Sequence, residues 1–62
     1  MPALMRRFGD QSWRVREMAA RMVAKQIVGE AFDNMVRLQV DPTPRVSAAA
    51  SRAVAVLVDH QA

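Results

Sequence analysis

Two stretches of the chain decide how it is read. They are Asp10-Gln11-Ser12-Trp13-Arg14-Val15-Arg16-Glu17-Met18-Ala19-Ala20-Arg21-Met22-Val23-Ala24 and Asp41-Pro42-Thr43-Pro44-Arg45-Val46-Ser47-Ala48-Ala49-Ala50-Ser51-Arg52-Ala53-Val54-Ala55. Asp, Arg, Val, Ala, Arg, Val and Ala recur at matching places, 31 residues apart. Laying residues 1–31 on 32–62 without a gap adds Arg6 with Arg37 and Ala31 with Ala62, nine identities in 31. Chance pairing at this composition gives about three, so a fixed period is the simplest account. The similar pairs Leu4/Met35, Met5/Val36, Ser12/Thr43 and Ile27/Val58 strengthen it. The chain therefore divides into one helical-repeat domain, 1–62, with repeats 1–31 and 32–62.

Each period reads as two helices. The first is short, Pro2 to Phe8 and then Glu30 to about Val40. Proline suits a first helical turn. Leu4, Met5 and Phe8 share a face, as do Phe32, Met35 and Val36. A breaker follows each: Gly9-Asp10-Gln11-Ser12 and Asp41-Pro42-Thr43-Pro44. Ser12 and Thr43 stand where a helix N-cap belongs, and Asp10 and Asp41 can close the turns. The second helix is long, Trp13 to Val28 and Pro44 to His60. Val15, Met18, Ala19, Met22, Val23, Gln26 and Ile27 keep helical spacing on one stripe. Val46, Ala49, Ala50, Ala53, Val54, Leu57 and Val58 keep the same spacing, and both stripes are expected to be buried. Gly29 is placed to end the first long helix. The links are so short that successive helices must fold back antiparallel.

Composition narrows the function. Sixty-two residues support one small core. There is no cysteine, so no disulfide assists it, and the single histidine, His60, has no Cys/His companions for a zinc site. No apolar run reaches a membrane span, and Met1 to Arg7 lacks the order of a signal peptide, so the expected location is cytoplasmic. There is no Gly-rich phosphate loop, no cysteine nucleophile and no spaced Ser/His pair. The six carboxylates are scattered. The chain reads as a non-enzyme with no cofactor and no metal.

The pattern Asp10…Val15-Arg16…Ala19-Ala20 is similar to the HEAT repeat signature. Asp41-Pro42…Val46…Ala49-Ala50 matches its Asp-Pro-x-x-x-Val form more closely. The 31-residue period resembles the short bacterial class that includes repeats of phycobilin lyases. The resemblance implies an all-α fold of two tandem helical hairpins, four helices in all, forming a fragment of an α-α superhelix or solenoid. First helices would lie on the convex side and second helices on the concave side. It also implies that Arg16 ties to Asp10 as a structural turn–helix pair. Ser47 replaces that arginine in the second copy, which leaves Asp41 expected to lack a partner and the second repeat looser or terminal.

Net charge is +3, and eight of the nine basic residues are arginine. Arg14, Arg21 and Lys25 fall close to one line on the first long helix, and Arg45 and Arg52 hold the same places on the second. Stacked repeats would set them side by side as a partner-binding array, with Trp13 as an anchor. The same residues would also serve as the solvated side that every amphipathic helix carries, and Trp13 as a cap on the core. Met1, Met5, Met18, Met22 and Met35 read as core or as a face awaiting a neighbour. The expected function is a protein–protein interaction scaffold. The alternatives are nucleic-acid or other polyanion binding along the basic face, and a piece of a HEAT-like lyase. Two repeats are few for such an array, so self-association as a homo-oligomer, or flanking repeats, is expected.

Overall fold

The computed structural model describes residues 7–61. Among them are three α-helices: α1 (Trp13–Gln26), α2 (Phe32–Leu38) and α3 (Pro44–Gln61). A 3-10 turn, Gly29–Ala31, leads into α2. The short helix expected at Pro2 to Phe8 falls almost wholly outside the described residues. Only Arg7 is helical there, before a turn at Phe8 and Gly9.

The turns before the two long helices match bond by bond at positions 31 residues apart. The two long helices start at residues 13 and 44. Asp10 N–H donates to the Arg7 carbonyl at 3.2 Å, and Asp41 N–H to the Leu38 carbonyl at 3.0 Å. The Ser12 carbonyl accepts from Val15 and Arg16, and the Thr43 carbonyl accepts from Val46 and Ser47, at distances between 3.0 and 3.2 Å. In each turn the aspartate does the same work. Asp10 Oδ1 accepts from Ser12 N–H and Asp41 Oδ1 from Thr43 N–H, both at 2.8 Å. These are Asx turns, in which a short carboxylate satisfies a backbone donor two residues on. Ser12 stands at the N-cap of α1, but its own hydroxyl makes no capping bond.

The core is built from one stripe of each long helix and from α2 between them. Ala19, Ala20 and Val23 of α1 meet Val46, Ala50, Ala53 and Leu57 of α3, with Ala31, Met35, Leu38 and Phe8 completing the cluster. The alanines carry no bulk beyond Cβ, so the helices can sit close. Val23, Val46, Leu57 and Met35 supply the volume. Burying each of these four is worth about 1.5–3 kcal/mol. No buried side-chain polar atom among the described residues lacks a partner.

The expected stripes need correction at their edges. Met18 is 59% exposed and Val58 52%, and Ile27 and Val36 are exposed as well. Gln26 is exposed and Val15 and Met22 are half-buried. The buried side of α1 is centred on Ala19, Ala20 and Val23, turned away from Met18. Of the methionines, Met35 is fully buried, and Met1 and Met5 lie outside the described residues.

The end of α1 also differs from expectation. Ile27, not Gly29, takes the left-handed conformation, with φ 54° and ψ 59°. Val28 N–H then bonds the Val23 carbonyl at 3.2 Å. This closes the last turn in the Schellman manner, two residues before the glycine that was expected to close it. Gly29 has no positive φ and opens the 3-10 turn instead. Val28 packs against the core at the corner, which is the apolar contact such a cap favours. The second short helix is likewise shorter than Glu30 to Val40, because Gln39 and Val40 already belong to the turn.

Candidate binding groove between the two long helices

Arg16 is the residue that joins the two turns. Its Nε donates to Asp41 Oδ2 at 2.9 Å and its Nη2 lies 3.4 Å from Asp41 Oδ1. Its Nη1 donates to the backbone carbonyls of Asp10 and Gln11. One guanidinium thus binds the turn before its own helix and the carboxylate of the turn before the next long helix. The expected Arg16–Asp10 pair exists only through the Asp10 carbonyl, since the Asp10 carboxylate serves Ser12. The expectation that Asp41 lacks a partner is overturned, because its partner comes from the preceding period.

The Arg16 side chain is 16% exposed and that of Asp41 7%, so the pair is shielded from water. Burial pushes the Asp41 carboxyl up. The Thr43 backbone N–H and the Arg16 guanidinium outweigh that and hold it below its ordinary range.

With its start fixed by Arg16 and Asp41, α3 runs beside α1 in the same direction. Trp13 lies near Arg45 at the two N-terminal ends. The helices flank a groove of about 700 Å³, lined by Glu17, Arg21, Ala24 and Lys25 of α1 and by Arg45, Ala48, Ala49, Arg52 and Val56 of α3. Four of the five expected cations, Arg21, Lys25, Arg45 and Arg52, therefore share one concavity. The fifth, Arg14, lies outside its lining and stacks over Trp13 with its guanidinium carbon 5.4 Å from the ring centroid. Arg45 approaches the same ring at 5.7 Å. Both distances fall within cation–π range. Trp13 itself is half-buried and packs against the core. It supports two arginines and does not stand free as an anchor.

Glu17 is the one acidic residue in the groove, and it pairs with Arg21 one helical turn on at 3.2 Å. This residue was not singled out from sequence, although its i, i+4 spacing to Arg21 was there to be read. The Arg16–Asp41 tie spans 25 residues, and no local spacing announces it. Val56, opposite Lys25 in the repeat, adds to the apolar floor made by Ala24, Ala48 and Ala49. His60 is exposed in the last turn of α3, where a cationic side chain suits the helix dipole. Among the described residues no three His, Cys, Asp or Glu side chains converge as metal ligands. None of their helices is long and apolar enough to cross a membrane.

An all-helical chain in which an Asx turn precedes each long helix, with basic side chains on the exposed side of both, is consistent with an α-helical repeat. The family model of the HEAT repeat matches residues 1–25, which supports a likeness to HEAT repeats over that part of the chain. HEAT repeats are helical modules that commonly mediate protein interactions. No curated protein and no solved structure matches the chain significantly.

Proposed function

We propose that this chain is a non-enzymatic interaction module of two 31-residue HEAT-like repeats, 1–31 and 32–62, which presents the groove between α1 and α3 to a protein partner. One observation carries the reading: Arg21, Lys25, Arg45 and Arg52 gather around an apolar floor in one groove. A face that served only solubility would need no concavity and no shared floor. The repeat reading is supported by the equivalent hydrogen bonds 31 residues apart. A solenoid arrangement in longer arrays, and association of the open ends with further repeats or a second copy, follow from the one-dimensional logic of such folds. Freedom from cysteine suits work in the reducing cytoplasm.

Nucleic-acid binding is the second reading, and the basic side chains are the observation that favours it. Against it, the groove offers no stacking aromatic, because Trp13 is covered by Arg14 and Arg45.

Photo-crosslinking in cells tests the proposal. A photoreactive residue replaces Ala48 in the groove or Ala55, which is also exposed on α3 but outside the groove lining. The expected result is a discrete protein crosslink from position 48 that is absent from position 55 and lost with Arg45→Glu/Arg52→Glu. Crosslinks to nucleic acid, or equal crosslinks from both positions, would overturn it.

A further inference from the structure

We infer that the groove receives an acidic amphipathic helix of a partner protein, with its apolar strip on Ala24, Ala49 and Val56 and its carboxylates on both cationic rims. The inference rests on the reading of the groove as a protein-binding site and adds the chemistry of the occupant.

Charge complementarity is the first argument. The rims carry Arg21 and Lys25 on one side and Arg45 and Arg52 on the other. Glu17 is engaged with Arg21, and among the described residues no carboxylate lies within ion-pair distance of Lys25, Arg45 or Arg52. The groove therefore calls for negative charge that the described residues do not supply.

Spacing is the second argument. Arg45 and Arg52 are seven residues apart, which on a helix is about 10 Å along the axis. A partner helix lying along the groove repeats its own side chains at that interval, so glutamates at i and i+7 meet Arg45 and Arg52 on the α3 rim, while Arg21 and Lys25 stand one helical turn apart on the other.

The charge density and the apolar floor suit a protein rather than a nucleic acid. Duplex DNA presents about one charge per 1.7 Å of axis, far denser than two cationic rungs per helix, and phosphates make no use of an alanine and valine floor. An amphipathic helix uses both rim and floor. At one end, Trp13 holds the Arg14 and Arg45 guanidinium groups 5.4 Å and 5.7 Å from its ring. Two cations held by one ring are pre-set for a carboxylate, and Trp13 is the only tryptophan in the chain. Its fluorescence reports directly on that end of the groove.

The test titrates the full chain with a three-turn synthetic helix that carries a leucine strip flanked on both sides by glutamates seven residues apart. Three probes stand beside it: the same peptide with glutamine for glutamate, polyglutamate of equal charge, and a short DNA duplex. Trp13 emission and the anisotropy of labelled probes are read at physiological salt. Exposed ion pairs each contribute modestly, so four together predict binding about tenfold tighter than the glutamine peptide. Polyglutamate, which lacks the apolar strip, is expected to bind more weakly than the acidic amphipath. The Arg45→Gln/Arg52→Gln variant should lose most of the advantage while its helices remain formed by circular dichroism, since both side chains are exposed. Equal binding of the glutamine peptide overturns the acidic occupant but leaves the interaction module standing. Tighter binding of the duplex, with a steep loss in salt, overturns both. No change in emission or anisotropy with any probe overturns the acidic occupant and returns the cations to the role of a solvated face.

Discussion

The turns before α1 and α3 are alike in their backbone bonds and unlike in what surrounds them. Asp10 and Asp41 each accept from the N–H two residues on at the same distance. Asp10 is exposed, while Asp41 is sheltered and held by Arg16. The repeat counterpart of Arg16 is Ser47, whose hydroxyl turns back to the Pro44 carbonyl at 3.1 Å. The difference runs on along the helices. Ala20 and Val23 of α1 are buried against the second hairpin, whereas their counterparts on α3, Ser51 and Val54, are exposed and half-buried. A repeat unit thus acquires its stability from what stacks on it, and two sequences with the same local bonds need not be equally firm.

The largest effect should come from breaking the tie that only one turn has. Removing one partner of a partly buried, charge-assisted hydrogen-bonded pair costs about 2–3 kcal/mol, below the range of a fully buried ion pair. A domain of this size has only about 3–9 kcal/mol of stability in total. Arg16→Met or Asp41→Ala should therefore lower the thermal melt followed by circular dichroism more than any other single substitution considered. Asp10→Ala loses only a capping bond and should cost about 1 kcal/mol. Equal losses at the two aspartates would end the comparison.

A somewhat smaller effect tests the faces of the helices. Ala20→Ser places a hydroxyl in a fully buried site and should cost about 1–3 kcal/mol unless it finds an acceptor. Ser51→Ala makes the reverse change at the counterpart position, which is exposed, and should gain up to about 0.5 kcal/mol from helix propensity. Chemical denaturation of the two variants beside the parent chain reads both signs. A loss at Ser51 would mean that its hydroxyl has a role that its exposure does not suggest.

The sequence made the period legible because it is written in Asp, Arg, Val and Ala at fixed places, and helix starts at 13 and 44 follow from the turn residues alone. The gathering of Arg21, Lys25, Arg45 and Arg52 was also readable, since equal positions on stacked helices must come together. The partner of Asp41 was not. Pairing Arg16 with the nearest aspartate in sequence is the natural reading, but the Asp10 carboxylate is already committed to Ser12, and only the stack brings Asp41 within reach. The stop at Ile27 was hidden for a related reason. Glycine is the usual residue for a left-handed cap, and tertiary packing of Val28 overrides that preference. The burial of Met18 was overread because helical spacing defines a stripe but not which edge of it has a neighbour.

Acid should narrow the contrast between the turns. The Asp41 carboxyl is held below its ordinary range by the Thr43 N–H and the Arg16 guanidinium, against the opposing effect of burial. The unfolded chain therefore binds a proton at Asp41 before the folded chain does. The stabilisation is complete above the unfolded value of about 3.9 and is lost as pH falls through the lower folded value. Melting temperatures measured from pH 6 to pH 2 should fall in that acid window. Asp41→Asn should flatten the fall. A parent chain and an Asp41→Asn variant with parallel profiles would show that the acid sensitivity lies elsewhere.

The smallest effect concerns where the two long helices stop. α1 ends at Gln26 with Ile27 left-handed, while α3 continues as helix through the counterpart, Val58, to Gln61. A β-branched residue in the left-handed region carries about 1–2 kcal/mol of strain. Ile27 is 40% exposed, so its side chain returns only part of that through burial. Ile27→Gly should relieve the strain and lose the remaining contact, for a net gain of about 1 kcal/mol or less, which at this chain length is about 4–8 °C in Tm per kcal/mol. Val58→Gly, in the last turn of a helix that continues past this position, should instead cost up to about 1 kcal/mol. Opposite signs at positions 27 and 58 would show that the two copies share a start but not an end. A loss at both would mean that Ile27 is held by contacts worth more than its strain, and that α1 stops where packing requires it to stop.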